Sequence, residues 1–203
     1  GHELRTPLAL LRTELELALR QGQSEEELRE ALRVSVEEVD RLAQLADDLL
    51  LIARYDRGRL PLRVESVDAR SLLDSVVTRF QWRADEATRP LASEAPSGLT
   101  VRGDRLRLEQ ALGNLVDNAL RHGRGRVTLR AAGADGSVEL AVEDQGDGFA
   151  DGFAERAFER FSRAQHDTGG AGLGLAIVRV IAEAHGGSAD VSGGSRVRLM
   201  LPR

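Results

Sequence analysis

The sequence predicts an α+β chain: an N-terminal helical hairpin, able to pair with a second copy as a dimeric four-helix bundle, followed by an α/β sandwich with a mixed sheet. Three observations predict it. Through about residue 55 the apolar residues recur at three- and four-residue spacing, the mark of amphipathic helices. Past Arg57-Gly58-Arg59-Leu60-Pro61, hinge-like by its Gly and Pro, helical and strand patterns interleave. Short turns such as Ala134-Asp135-Gly136 join neighbouring strand patterns, which fits a mixed sheet better than a doubly wound parallel one. The boundaries that follow are a hairpin over 1–57, a linker over 58–61 and a second domain over 62–203.

Helix one is expected over about 3–20. Leu4, Leu8, Leu11 and Leu15 form its apolar stripe, and His2 and Thr6 fall on the opposite face, one turn apart. Pro7 has no N–H for the carbonyl of Glu3, so a local bend is expected there. Gly22-Gln23-Ser24 breaks the pattern, and Ser24 with Glu27 makes a capping box that starts helix two. Its stripe runs through Leu28, Leu32, Val36, Val39, Ala43, Ala46, Leu50 and Ala53 to about Tyr55. Two helices cannot enclose a core alone. A homodimer buries both stripes; the alternative is that they pack on the domain that follows.

In the second domain, Leu62 to Val67 reads as a strand and Asp68 as the cap of a helix over about 69–87. Short strands near 91–94 and 99–102 precede a helix over 105–121 capped by Asp104. Arg126–Ala132 and Ser137–Glu143 read as a hairpin. Residues 149–170 form a long Gly-, Asp- and Arg-rich loop with a short helical piece around 155–161, a length that usually signals a functional lid. A helix over 173–185 and strands over 188–192 and 196–201 close the chain.

Composition narrows the chemistry. The net charge is −5, so there is no electrostatic footprint for nucleic acid. Cysteine is absent, which excludes disulfides, thiol catalysis and Cys-based zinc sites. All 28 basic residues are Arg, so any phosphate-binding Lys must be replaced by Arg. No apolar run approaches the roughly 20 residues that span a bilayer. The chain opens almost on His2, and a longer protein with an upstream part is expected.

Four stretches carry chemistry in the second domain. Asn114, Asn118 and Arg121, followed by His122, share a helix face at i, i+4 and i+7, a way to hold a metal ion and phosphates, or simply a polar solvent face. Asp144-Gln145-Gly146-Asp147-Gly148 follows a strand. Its carboxylate can accept the exocyclic amine of adenine while the glycines let backbone approach the ring; the plainer reading is a tight turn. Phe158-Glu159-Arg160-Phe161-Ser162-Arg163 clusters aromatics and arginines, for the lid or as a plug onto the core. Gly169-Gly170-Ala171-Gly172-Leu173-Gly174 opens a helix, exposing backbone N–H groups to phosphate. It matches neither the P-loop nor the dinucleotide fingerprint.

His2-Glu3-Leu4-Arg5-Thr6-Pro7-Leu8 closely resembles the phosphoacceptor box of sensor histidine kinases of two-component systems. The four later stretches resemble, in order, the asparagine, Asp-Gly, phenylalanine and Gly-rich lid boxes of that family's ATP-binding domain, whose fold is of the histidine kinase/gyrase ATPase type. The resemblance runs to Leu201-Pro202. It implies that ATP and Mg²⁺ are bound, with Asn118 on the metal and Asn114 and Arg121 at the phosphates; Arg121 stands where the family often has Lys. Asp144 would bind the adenine amine, with Gly146 and Gly148 shaping the pocket. His122 and Leu173 would join the nucleotide site, Arg163 would reach the β/γ-phosphates, and Gly170, Gly172 and Gly174 would form the lid's hinge and floor. His2 would accept the γ-phosphoryl group, Glu3 would take its proton, and Thr6 would orient water for dephosphorylating a partner. The implied partner is a response regulator receiver domain, and the implied setting is the cytoplasmic part of a membrane-bound bacterial sensor. Two rivals remain: a gyrase- or chaperone-type ATPase, for which Glu109 is the nearest general base, and a dimeric scaffold that holds ATP as a structural ligand.

Overall fold

The computed structural model describes residues 2–19, 24–134, 136–149, 152–162 and 171–203, without the side chains of residues 2–7, 10 and 14. The chain divides into two compact units, Gly1–Ala53 and Arg54–Arg203.

The first unit is helical. α1 spans His2–Ala18 and runs through Pro7; α2 spans Glu25–Asp56 and continues into the second unit. The start of α2 is the capping box the sequence predicts. The Glu27 amide donates to Ser24 Oγ at 3.2 Å, and the Ser24 amide donates to Glu27 Oε2 at 2.6 Å, so two orphan donors of the first turn are satisfied. Leu8, Leu15, Leu28, Leu32, Val36, Val39 and Leu50 stay exposed. Much of the described part of both apolar stripes is therefore left exposed, although Leu11 is buried.

The second unit is a sheet with helices against it. Its elements are β1 (Glu65–Asp68), α3 (Ala69–Glu86), β2 (Leu91–Glu94), β3 (Thr100–Gly103), α4 (Arg105–His122), β4 (Val127–Ala134), β5 (Ser137–Glu143), α5 (Gly174–Ala184), β6 (Ser188–Ser192) and β7 (Arg196–Pro202). Five strands form one sheet in the order β2-β4-β5-β7-β6; β2 runs parallel to β4 and the other pairs are antiparallel, so the sheet is mixed. β1 and β3 form a separate antiparallel ribbon. The first strand is shorter than the sequence predicts, because Leu62–Val64 pair with nothing in the ribbon. The expected helical piece near 155–161 is a succession of isolated turns, held by amides of Arg156 and Glu159 donating three residues back at 3.0 and 2.9 Å.

The core forms where the inward residues of the sheet meet α3, α4 and α5. Across β5 and β7 the register pairs Val138 with Leu201, Leu140 with Leu199 and Val142 with Val197, all buried. Leu72, Leu73, Leu108, Leu112, Leu115, Ile177 and Ile181 complete the core from the helices. Removing one such leucine costs about 2–5 kcal/mol. Both long helices of the unit begin on an Asp cap: Asp68 accepts from the Ser71 amide at 2.7 Å and Asp104 from the Arg107 amide at 3.2 Å. Asp104 also ties distant elements together. Its other oxygen accepts from the Arg63 amide at 2.9 Å, and its own amide donates to His185 Nε2 at 2.9 Å. A backbone N–H can only donate, so Nε2 accepts and His185 Nδ1 donates to the Ile181 carbonyl at 2.7 Å. The start of α4 is thereby fixed to the end of α5.

Candidate nucleotide site

Described residues of the four stretches are linked by single contacts: Asn114 to Gly174, the turn after α4 to Asp144, and Phe161 to Gly172. Asn114 and Asn118 lie half-buried on α4, with Arg121 and His122 exposed in its last turn. Asn114 Nδ2 donates to the Gly174 carbonyl at 3.2 Å, which ties the asparagine face of α4 to the first residue of α5. The N-cap residue Leu173 makes no side-chain cap at the N-terminus of α5, and a helix start of this kind suits an anion. Leu173 is buried, with its carbonyl accepting from the Ile177 amide at 2.9 Å. Its side chain belongs to the core; only its backbone can border a ligand.

Asp144 follows the central strand β5. Oδ1 accepts from the Gly146 amide at 2.6 Å and the Arg124 amide at 3.2 Å, and the Asp144 carbonyl accepts from Ser195 Oγ at 2.7 Å. The carboxylate is thus held by two amides and the residue's backbone by Ser195, and a carboxylate retains acceptor capacity beyond two amides. The approach is close enough that a Cβ on Gly123 would run into the Asp144 carboxylate, and one on Gly146 would lie 2.8 Å from its Oδ1. Gly148, at φ +78°, would collide through a Cβ with the Gly194 backbone. Gln145 adds a second stitch, its Oε1 accepting from the Arg126 amide at 3.0 Å. Sequence reasoning missed Gly123, Arg124, Gly194 and Ser195. The signal for Gly123 was its place directly after the α4 pattern; the Ser195 contact is a long-range one that no local pattern carries.

The aromatic cluster divides. Phe158 is buried as a plug, whereas Phe161 is 46% exposed. Phe161 holds φ +64°, uncommon for a bulky residue, and its amide donates to the Gly172 carbonyl at 2.8 Å. Gly172 is at φ +65°, and a Cβ there would press on the Phe161 backbone at 2.8 Å. Arg163 and Gly170 lie outside the described residues, as do the side chains of His2, Glu3 and Thr6; the backbone of these last three is part of α1. Glu109 accepts from Ser75 Oγ at 2.8 Å and Arg105 Nε at 3.0 Å, so its carboxylate is engaged with the start of α3 and with its own helix. That engagement disfavours it as a general base on water.

Comparison with known proteins agrees with this architecture. Residues 1–58 match the family described as His Kinase A (phospho-acceptor) domain, and residues 103–203 match Histidine kinase-, DNA gyrase B-, and HSP90-like ATPase. A probable sensor histidine kinase of Mycobacterium tuberculosis is 39% identical over 91% of this chain and 50% of its own length. Among solved structures, the Acinetobacter baumannii histidine kinase AdeS has a TM-score of 0.82 at 27% identity, covering 100% of this chain and 98% of that one. The full-length kinase ShkA, solved in complex with AMPPNP, has a TM-score of 0.74 at 35% identity over 98% of this chain and 43% of its own. The chain belongs to the sensor histidine kinase family. It spans about half the length of the curated relatives it matches. Among the described residues, no helix is long and apolar enough to cross a membrane.

Proposed function

We propose that the chain is an ATP-dependent protein-histidine kinase that phosphorylates its own His2. The carrying observation is the cradle at the end of β5, where Asp144 is held by two amides and only the absence of a Cβ at Gly123 leaves room for its carboxylate. Such an acceptor suits the exocyclic amine of adenine. From there the Asn114–Gly174 tie brings the asparagine face of α4 and the uncapped start of α5 together, where a phosphate chain would run. Asn118 would ligate Mg²⁺ through its carboxamide oxygen, the hard oxygen donor this ion takes, with Asn114 and Arg121 at the phosphates. Bound there, Mg²⁺ would offset phosphate charge. His122, Gly146, Gly148, Gly172, Leu173 (by its backbone) and Gly174 would border the nucleotide, and Arg163 and Gly170 would act from the lid. ShkA, a relative, has been solved in complex with AMPPNP, which supports nucleotide binding by this chain.

In the reaction a ring nitrogen of His2 forms a bond to the γ-phosphorus. The bond to the β–γ bridging oxygen breaks, ADP leaves, and Glu3 takes the imidazole proton. Positioning and charge neutralisation supply most of the rate in such a transfer. The phosphoryl group then passes to an Asp of a response regulator, and Thr6 would orient water for hydrolysis of that aspartyl phosphate. A histidine kinase of the same fold, at 22% identity and a TM-score of 0.77, was solved in complex with a response regulator protein, which supports that class of partner. The uncovered stripe through Leu32, Val36 and Val39 supports a homodimer.

The test is incubation with γ-labelled ATP and Mg²⁺ beside a His2→Gln variant. Acid-labile, base-stable label that disappears in the variant is the expected result. Steady ATP hydrolysis without phosphoenzyme would replace this reading with an ATPase.

A further inference from the structure

The last turn of α2 groups with the second unit, which begins at Arg54. That turn has a firm end. Gly58 stands at φ +61°, its amide donates to the Tyr55 carbonyl at 2.8 Å, and the Arg59 amide donates to the Arg54 carbonyl at 2.9 Å, a Schellman-type stop. Two side chains leave the turn for distant parts of the unit. Tyr55 Oη donates to Glu183 Oε2 at 2.9 Å, in the last turn of α5. Asp56 Oδ1 accepts from Arg160 Nη2 at 2.5 Å, a partly exposed ion pair.

Both targets belong to segments that meet at one joint. Arg160 directly precedes Phe161, whose amide donates to the Gly172 carbonyl, and α5 starts two residues after Gly172. Phe161 holds φ +64° at this joint, and a bulky residue stays in that conformation only where its surroundings over-determine it. On one side the constraint is Gly172, whose missing Cβ admits the Phe161 backbone. On the other it is Arg160, whose guanidinium is bound to α2.

We propose that Tyr55 and Asp56 are positioning residues that clasp the end of α2 to the Phe161–Gly172 joint and so couple α2 to the nucleotide beside it. This rests on the reading above that nucleotide borders Gly172 and Gly174. The clasp pre-organises the joint that the nucleotide uses, and by linkage the bound nucleotide strengthens the clasp by the same factor. α2 is one unbroken helix from Glu25 to Asp56, so a displacement of its end reaches the joint through these two side chains.

Charge and positioning predict opposite signs for Asp56→Ala. Removing a carboxylate leaves the unit less repulsive to an anionic ligand, so charge alone tightens ADP binding; loss of positioning weakens it. Calorimetry on the whole chain measures ADP affinity with Mg²⁺. Asp56→Ala is expected to lower it about threefold, the scale of one exposed ion pair. Arg160→Ala should do the same, and the two together no more than either. In a Phe161→Gly background, where positive φ comes freely, Asp56→Ala should cost nothing further. A second measurement needs no substitution at the clasp. 3-Fluorotyrosine at Tyr55, the chain's only tyrosine, gives one ¹⁹F line. Its partner Glu183 lies about 14 Å along α5 from Gly174, so the line reports from the far end of that helix. ADP with Mg²⁺ is expected to move the line with the midpoint that calorimetry gives. An unchanged or raised affinity in Asp56→Ala, a further loss in either double variant, or a line that stays still while ADP binds overturns the clasp. ADP that fails to bind the unaltered chain overturns the nucleotide reading instead.

Discussion

At the scale of single residues, Gly123 and Asp144 constrain the proposed adenine site. The α4–β4 turn passes so close to the Asp144 carboxylate that one methyl group cannot be admitted between them. Gly123→Ala is therefore expected to displace Asp144 and lower ATP affinity by at least about tenfold, the worth of one good hydrogen bond to a charged group. Nucleotide titration would read this, with the thermal transition kept as a check on the fold. Asp104 makes a contrasting case, since its work is structural. It caps α4, accepts from the Arg63 amide and is buried. Asp104→Ala would lose the cap and strand a backbone donor, a destabilisation of about 1–3 kcal/mol by denaturant unfolding. Both Asp caps were legible in the sequence because the amides they accept from lie three residues on, whereas Asp144 has one local partner, Gly146, and two distant ones, Arg124 and Ser195. Asp117 and Ser195 were not legible, because Arg83 and the Asp144 carbonyl reach them from distant parts of the chain.

Among elements, α3 ends in an unusual way. Thr88 holds φ +54°, while the Arg89 amide donates to the Ala84 carbonyl at 2.8 Å, a Schellman-like stop that a glycine would normally supply. The left-handed conformation costs a β-branched residue about 1–2 kcal/mol, and glycine carries an entropic cost of about 0.5–1 kcal/mol. Thr88→Gly is accordingly expected to stabilise the chain by up to about 1 kcal/mol, visible as a raised denaturation midpoint with an unchanged slope. The end of α2 invites a spectroscopic test. Tyr55 Oη donates to Glu183 Oε2 at 2.9 Å, and that bond, helped by desolvation and by the Glu183 charge, raises the phenol above its ordinary 10.0. A raised folded value means that the contribution to stability is full below pH 10 and fades as pH rises through the folded value. Asp56 is held below its ordinary 3.8 by its bond from Arg160, so its contribution is present above that value and fades on acidification. Tyr55 is the chain's only tyrosine, so phenolate absorbance reports on it directly. The midpoint is expected above 10, and Glu183→Gln should bring it back down.

At the scale of the molecule, the helical hairpin and the mixed sheet were legible because each rests on periodicity and on local caps and turns. The sheet order was not, since β2-β4-β5-β7-β6 depends on which apolar faces find each other across long loops. The lid was read as a length of loop with a helical piece; its described part is a run of turns, closed at its base by the Phe161–Gly172 bond. The exposed leucine and valine stripe of the hairpin predicts association: sedimentation should give twice the chain mass, and Val36→Glu should shift it to the monomer. The placement of β5 has a further consequence. Hydrogen-bonded to β4 on one side and β7 on the other, it is the middle strand of five, and the residue that ends it leads straight into Asp144, the proposed adenine acceptor. Its amides should exchange with deuterium only when the whole unit unfolds, whereas edge strands β2 and β6 can open locally. A ligand seated at Asp144 lowers the unfolded population by the factor 1 + [L]/Kd. Nucleotide at a hundred times its Kd should then slow deuterium uptake along β5 by about a hundredfold and leave uptake through local opening at the edges unchanged. The labelling rate of one internal strand becomes a binding isotherm for a ligand it never touches.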